Sequence, residues 1–254
     1  MGEKLKTSVL GTLAATALLA MTITACGGTS APATGSQAAT GAPAATTASA
    51  PTPTPTPTPK AYTAEELSAV LAQLQDSSGR KLSVMASSDL AGSIEQGKAL
   101  IASMDVQPAE CKEMAASTGV PALDGVVMAA GQSLDAAAGS MTMLTLATGL
   151  DEAFVAGTAA QEQQLAACSA MTMTVSGVTA DVTLTPLDAV GTIPGTLAFR
   201  TDTFLSDGQV QSVITAQALQ QGVLFTAVAA GGESEAEAVA RTGALLDSAA
   251  ALLK

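Results

Sequence analysis

The three cysteines are the side chains of this sequence whose type and spacing indicate chemistry. Cys26 ends an apolar N-terminal stretch, directly after Ile23-Thr24-Ala25, and is the candidate for covalent lipid attachment. Cys111 and Cys168 remain as an even pair. Since exported domains tend to oxidise paired thiols, we expect a Cys111–Cys168 disulfide worth about 4 kcal/mol on the chain-entropy model, with two separate buried thiols as the alternative.

Residues 1–25 have the form of a signal peptide. Lys4 and Lys6 precede the apolar residues 9–23, which are too few and too rich in Ala and Thr for a confident membrane-spanning helix. The tetrapeptide at residues 23–26, followed by two glycines, resembles the lipobox of bacterial lipoprotein precursors. The resemblance implies diacylglyceryl transfer to the Cys26 thiol, an acyl anchor such as palmitate, and cleavage before Cys26. An uncleaved anchor helix or a chance cysteine is the alternative.

Residues 26–61 are expected to form a lipidated, disordered tether. Between residues 27 and 60 the chain is nearly all Gly, Ala, Ser, Thr and Pro, so it cannot bury enough apolar surface to offset the entropy of ordering. The Pro-Thr alternation at residues 51–59 favours polyproline II at about 3.1 Å per residue, or roughly 28 Å. These threonines could instead carry O-linked glycans. The protein is thus expected on the extracytoplasmic face of the cell membrane.

Composition excludes several partners and reactions. The formal charge of −12 becomes −13 when residues 1–25 leave with one Glu and two Lys, and such acidity argues against nucleic acid and anionic lipid headgroups. The absence of histidine excludes an imidazole base and a transition-metal site. We expect no metal and no cofactor. The expected partners are the membrane, through the anchor, and an unidentified small ligand, lipid or envelope protein.

Residues 62–254 are predicted to form one α+β domain, an antiparallel sheet with helices packed on it and one disulfide. Capping-box patterns at residues 63–66 and 234–237 open the first and last helices. A second helix is predicted at residues 93–104, and a third starts at Asp151 and places Cys168 toward the sheet. The apolar stripes of the first, second and last helices are Leu67, Val70, Leu71 and Leu74; Ile94, Leu100, Ile101 and Met104; and Val239, Leu246 and Leu253.

The strands are predicted from apolar residues that alternate with period two. A helical turn at Pro108 is expected to place Cys111, Met114 and Ala115 on one side. Turns are expected at Ser176-Gly177 and Asp207-Gly208. The strand segments are residues 82–85, 126–134, 140–148, 171–175, 178–184, 197–201, 210–215 and 223–228.

A family resemblance adds to this pattern. The lipoprotein signal, the Thr/Pro tether, the leading helix at residues 63–67, the Pro-Ala-Glu-Cys segment at residues 108–111 and the later helix ending in Cys168 resemble the extracellular sensor-type domains of the PknH-like group and related small actinobacterial lipoproteins. The resemblance spans most of residues 62–254. It implies an α+β domain with a Cys-Cys bridge and a ligand-binding cleft, and it supplies no catalytic residues.

Enzyme motifs are weak. Ser78 and Lys81 satisfy Ser-x-x-Lys, and residues 206–208 and 241–243 loosely match the other penicillin-recognising motifs. The first lies in a glycine-broken turn and the third in a predicted helix, so a cell-wall hydrolase is a distant alternative and no enzyme activity is expected. The acidic residues Glu233, Glu235 and Glu237 suit a helix N-terminus better than a cation site.

Four methionines remain as a candidate ligand site. Met141, Met143, Met171 and Met173 alternate on two predicted strands that flank one helix, so they could line an apolar cavity for an acyl chain. Core filling is the preferred interpretation, since a domain with few aromatics must fill volume with Met, Leu and Ile. The sequence therefore predicts a membrane-anchored, non-enzymatic binding or sensor-like domain, with a lipid carrier as the alternative.

Overall fold

The computed structural model of the protein describes residues 60–112, 114 and 125–253, which form an α+β domain. In chain order the elements are α1 (Ala64–Leu71), β1 (Ser83–Val84), α2 (Ser87–Ser103), β2 (Asp105–Gln107), β3 (Val127–Asp135), β4 (Ser140–Thr148), α3 (Glu152–Ala167), β5 (Ala170–Val175), β6 (Val178–Leu187), β7 (Leu197–Leu205), β8 (Val210–Gln220), β9 (Val223–Ala230) and α4 (Glu235–Leu252). The nine strands form one sheet in the order β1-β3-β4-β9-β8-β7-β6-β5-β2. Every neighbouring pair is antiparallel, so the predicted fold class is confirmed.

The first and last helices begin where their capping patterns predict. The Thr63 hydroxyl accepts a hydrogen bond from the Glu66 amide, and the Glu66 carboxylate accepts one from the Thr63 amide, so the first capping box is complete. Only half of the second box forms. The Ser234 hydroxyl accepts from the Glu237 amide, but the Glu237 carboxylate accepts from the Glu233 amide instead of the Ser234 amide.

The predicted hairpins are present with their turns. β3 and β4 pair along their full length. The β5–β6 turn consists of Ser176 and Gly177, with φ angles of 50° and 80°; positive φ at both positions is what a tight type I′ hairpin turn requires. The Asp207 carboxylate accepts a hydrogen bond of 3.0 Å from the Gln209 amide in the β7–β8 turn. Local turn chemistry thus sets the ends of these strands.

The sheet has two differently covered faces. Successive side chains of a strand point to opposite faces, and residues paired across antiparallel strands share a face, so the register assigns each strand residue to one side. We call the sides the α1/α4 face and the α2/α3 face, after the helices that pack on them. The α1/α4 face carries the larger core, which includes Leu71, Leu144, Phe225 and Leu246.

Small residues let α4 approach the sheet closely. α4 packs on β9, β8 and β4, and these strands present buried alanines toward it: Ala216, Ala218 and Ala227. Gly243 of α4 lies against the loop before β7, where a Cβ atom on Gly243 would come within 2.6 Å of the Gly191 nitrogen. The Asp247 carboxylate accepts a hydrogen bond of 2.7 Å from the Thr192 amide in the same loop. The helix and the loop are therefore fitted together without room for a larger residue.

The second core lies on the α2/α3 face around a disulfide. Cys111 and Cys168 are bonded, with a Cα–Cα distance of 5.6 Å, so the predicted bridge is confirmed. Around it pack Val106, Met114, Leu165, Met171, Val182, Leu184 and Phe199. The bridge joins the turn after β2 to the C-terminal end of α3, which Asp151 caps at the other end through the Phe154 amide.

α2 differs from the predicted second helix. It begins at Ser87 rather than at residue 93, and Leu90 is its buried apolar residue. Leu100, predicted to point inward, is 40% exposed. The other three residues of the predicted stripe are half-buried: Ile94, Ile101 and Met104. The physical reason is that α2 contacts the sheet mainly at β3, and this contact is sparse.

Candidate functional site

The α2/α3 face of the sheet carries no charged side chain in the described strands. The register places every charged strand residue on the opposite face: Asp105, Asp135, Asp181, Arg200 and Asp202. The α2/α3 face consists mainly of Met, Leu, Val, Ala, Thr and Gln. A chain with 22 acidic and 10 basic residues thus keeps one sheet face neutral.

A row of polar side chains crosses the middle of this neutral face. Thr145 on β4 pairs with Thr226 on β9, which pairs with Gln217 on β8. Adjacent strands lie about 4.8 Å apart, so this polar row is about 10 Å long. Thr145 and Gln217 are each 9% exposed, yet none of the hydrogen bonds within the described part of the chain uses the three side chains. Thr226 is half-buried, and none of the three side chains is among those with a fully buried, unpartnered polar atom, so their polar atoms keep contact with solvent. The row therefore offers free donors and acceptors to a ligand.

Two mainly apolar rows flank the polar row, and the first of them includes one threonine. On one side Met143, Val228, Thr215 and Phe199 are successive partners on β4, β9, β8 and β7. Met143 is 9% exposed, and Phe199 belongs to the second core. The other side is formed by Ala147, Leu224 and Leu219. We call the three rows together the floor, a surface with hydrogen-bonding groups between two aliphatic strips.

α2 crosses the neutral face as a strap. It follows β1 at one edge of the sheet, and at its far end Met104 packs against the second core. Leu71 of α1 covers the other side of β3 at Gly131, so α2 lies on the α2/α3 face, where it contacts β3. Its 17 residues give a length of about 25 Å, or roughly five strand spacings. Ile94 and Ile101 are half-buried and belong to neither described core, so the strap is loosely packed.

The four methionines do not line one cavity. Met141 and Met143 lie on β4, whereas Met171 and Met173 lie on β5. β9, β8, β7 and β6 separate those strands, so the pairs are about 24 Å apart across the sheet. The predicted acyl-chain cavity is therefore wrong as a four-residue site, because the strands do not flank one helix as neighbours. Met171 and Met173 pack in the second core, and Met143 lies in the floor.

A cluster around Arg80 joins the α1–β1 turn to the β3–β4 hairpin. The guanidinium contacts Asp76 Oδ2 at 2.8 Å and Asp135 Oδ2 at 2.6 Å, and the Ser133 hydroxyl donates to Asp76 at 2.5 Å. Burial acts to raise the pKa of Asp76, but hydrogen bonds from Ser133, Arg80 and Ser78 outweigh it and hold the pKa below its usual value. Hydrogen bonding to Arg80 likewise lowers the pKa of Asp135. All these groups are paired with one another, so the cluster is structural.

A second cluster ties β7 to the start of α4. Arg200 bonds both Glu235 and Asp202, the latter at 2.8 Å, and the hydrogen bond to Glu235 is the main cause that raises the pKa of Arg200. Asp202 also accepts a hydrogen bond of 2.6 Å from the Ser212 hydroxyl. The Glu237 carboxylate contacts Arg241 at 3.3 Å. Glu235 and Glu237 are thus engaged with arginines at the N-terminal end of α4.

The weak enzyme motifs do not assemble a site among the described residues. The Ser78 amide donates to Asp76 within a turn, and no described hydrogen bond joins Ser78 to Lys81. Arg241 is buried inside α4, where it donates to the Gly231 carbonyl at 2.7 Å. No three His, Cys, Asp or Glu side chains in the described residues could hold a metal ion.

The predicted lipid-attachment site is not among the residues that the structure describes. Cys26, residues 27–59 of the predicted tether and Ala115 lie outside the described residues. Within residues 60–112, 114 and 125–253, no helix is both long enough and apolar enough to cross a membrane.

Sequence reasoning missed the polar row. Thr145, Thr226 and Gln217 each lie two positions from an apolar residue of the same strand, so the sequence predicts that they share a face with apolar side chains. This spacing is the one sequence signal for the row. Each position alone is typical of an exposed sheet surface. Only the β4–β9–β8 pairing brings the three together, and two of these strands are more than 70 residues apart in the chain.

No model of a known protein family matches the chain, and no curated protein matches it. Solved structures with a similar fold include the extracellular domain of PknH from Mycobacterium tuberculosis, at 15% identity and a TM-score of 0.44, over 76% of this chain and 96% of that one. An uncharacterised protein from Mycobacterium smegmatis is similar at 14% identity and a TM-score of 0.38, over 59% of this chain and 76% of that one. At these values the likeness concerns the general fold and nothing of function.

Proposed function

We propose that this protein is a membrane-anchored extracytoplasmic lipoprotein whose domain binds a ligand without transforming it. The observation that carries the proposal is the polar row: Thr145 and Gln217 are 9% exposed, Thr226 is half-buried, and none of the three side chains has a hydrogen-bond partner among the described residues. The floor has threonine hydroxyls, but the described strands carry no acid or base on the same face to activate them, and nucleophilic or general acid–base catalysis needs such a group.

The location rests on two features. The tetrapeptide ending at Cys26 and the positively charged start of the chain favour export and lipidation. The Cys111–Cys168 bridge favours an oxidising compartment, where disulfides form and persist. A tether of residues 26–61 would let the domain reach beyond the membrane surface.

A sensor-like role suits the position of α2. A ligand on the floor would lie beneath the strap, which leads directly into β2 and the disulfide-linked turn at Cys111. A bound ligand would therefore contact α2, the helix that connects the two edge strands of the sheet. An acyl-chain carrier is the second candidate, and the aliphatic rows around Met143 and Leu224 favour it.

Native mass spectrometry of the full-length protein, purified from its own membranes, tests this proposal. Thr226→Phe would fill the centre of the polar row, and Thr185→Phe makes the same change on the exposed α1/α4 face of β6. We expect a bound mass, beyond the anchor, in the wild type and in Thr185→Phe, and its loss in Thr226→Phe. Bare lipoprotein in all three samples would contradict ligand binding at the floor.

A further inference from the structure

We propose that the ligand of the floor is an uncharged amphiphile, with an aliphatic chain and a hydroxyl, ester or amide group. This inference rests on the binding function proposed above and adds the chemical class of the ligand. It follows from the charge, the hydrogen-bonding groups and the aliphatic surface that the floor combines.

Charge is the first constraint. The described strands place no Asp, Glu, Lys or Arg on the α2/α3 face, and Lys98 of α2 is already paired with Glu95, so a phosphate or carboxylate group seated on the floor would be desolvated without a free opposite charge. The net charge of −12 adds long-range repulsion against anions. Both effects favour a ligand whose bound part is neutral.

The polar row is the second constraint. A threonine hydroxyl and a glutamine amide can each donate and accept hydrogen bonds. Thr145, Thr226 and Gln217 therefore suit neutral groups that do the same, and the three side chains lie within about 10 Å. Hydroxyl, ester and amide groups meet this requirement.

The surroundings exclude two other neutral ligands as the best fit. Phe199 is the one aromatic side chain on this face of the described strands, and at 3% exposed it is packed into the second core, so no ring is offered for stacking a sugar. An extended peptide adds to a free sheet edge, but β4, β9 and β8 are paired on both sides. The aliphatic rows led by Met143 and Leu224 fit a hydrocarbon chain.

Photoaffinity labelling with defined probes tests the class. The full-length protein in mild detergent is titrated with a diazirine monoacylglycerol, and with the free fatty acid of the same chain length as its anionic counterpart. Labelling is read from peptides that contain the floor residues. Thr226→Val and Gln217→Leu remove hydrogen bonds at nearly constant shape, and Thr185→Val is the matched control on the other face.

We expect saturable labelling by the monoacylglycerol, about 5-fold weaker in Thr226→Val and in Gln217→Leu, because a net hydrogen bond is worth about 1 kcal/mol. Thr185→Val should match the wild type, and the fatty acid should bind roughly 10-fold more weakly or worse. Equal, Thr226-dependent labelling by the fatty acid would overturn the neutral class and leave the binding function standing. Displacement of a bound native mass by a neutral oligosaccharide but not by monoacylglycerol would also overturn it.

Discussion

Ala198 and Phe199 are neighbours in β7, yet they pack in different cores on opposite faces of the sheet. Ala198 contributes to the core beneath α1 and α4, whereas Phe199 closes the core around the Cys111–Cys168 disulfide. β7 therefore contributes buried side chains to both cores of the domain.

Phe199→Ala is expected to destabilise the domain by about 3–5 kcal/mol, because it removes a buried ring and leaves a cavity between the sheet and α3. Phe204→Ala is the matched control, since Phe204 lies on the same strand and is 42% exposed. Its cost should stay within about 0.5 kcal/mol. Urea unfolding of both variants gives the comparison, and equal costs would show that the second core is not packed as described.

Loss of the disulfide should lower the free energy of unfolding by about 2–5 kcal/mol. The variant is Cys111→Ser with Cys168→Ser, which leaves no unpaired thiol in the domain. Without the cross-link between two residues 57 positions apart, the unfolded chain gains conformational entropy. Peptide mapping without reductant should recover the linked pair from the wild type. Two thiols that alkylate freely in the folded protein would contradict the bridge.

Stability should fall in acid partly through the Arg80 cluster. The pKa values of Asp76 and Asp135 are lowered in the folded state, so their stabilisation is complete above the unfolded value of about 3.9 and is lost as pH falls through the folded values. Arg80→Met should reduce the decrease in the free energy of unfolding that occurs below about pH 5. Lys81→Met removes one positive charge at the neighbouring residue and should leave the loss of stability in acid unchanged. Identical pH profiles for the two variants would argue against the cluster.

Cys26→Ala is expected to abolish labelling of the protein by a clickable fatty acid, because the proposed diacylglyceryl group would be attached to that thiol. The precursor should also remain uncleaved or be mislocalised. Cys168→Ser serves as the control, since it removes a cysteine from the domain and should still be lipidated. Undiminished labelling of Cys26→Ala would place the anchor elsewhere.

Much of the fold could be predicted because its signals are local. The capping box at Thr63 and Glu66 and the two-residue turn at Ser176 and Gly177 act over three or four residues. The pairing of β4 with β9 could not be predicted, because it joins residues such as Thr145 and Thr226 that are far apart in the chain. The same long-range order separates β4 from β5, and it is why the four methionines fall into two groups.

α2 shows a second limit of sequence patterns. Its apolar spacing indicates a buried stripe, yet Leu100 is 40% exposed. Periodicity shows which side chains share a side of a helix, but not how closely that side packs. α2 contacts the sheet mainly at β3, and the closeness of that packing is a property of the assembled sheet.

Ligand binding at the floor is tested most directly by incorporating photo-methionine into the full-length protein in its native membrane. Met143 and Met171 lie on the same face and are 9% and 5% exposed, but Met143 is in the floor and Met171 is in the second core. After irradiation, we expect a small-molecule adduct of defined mass on Met143 and none on Met171. An unmodified Met143, or equal modification of both residues, would contradict a ligand site on the floor.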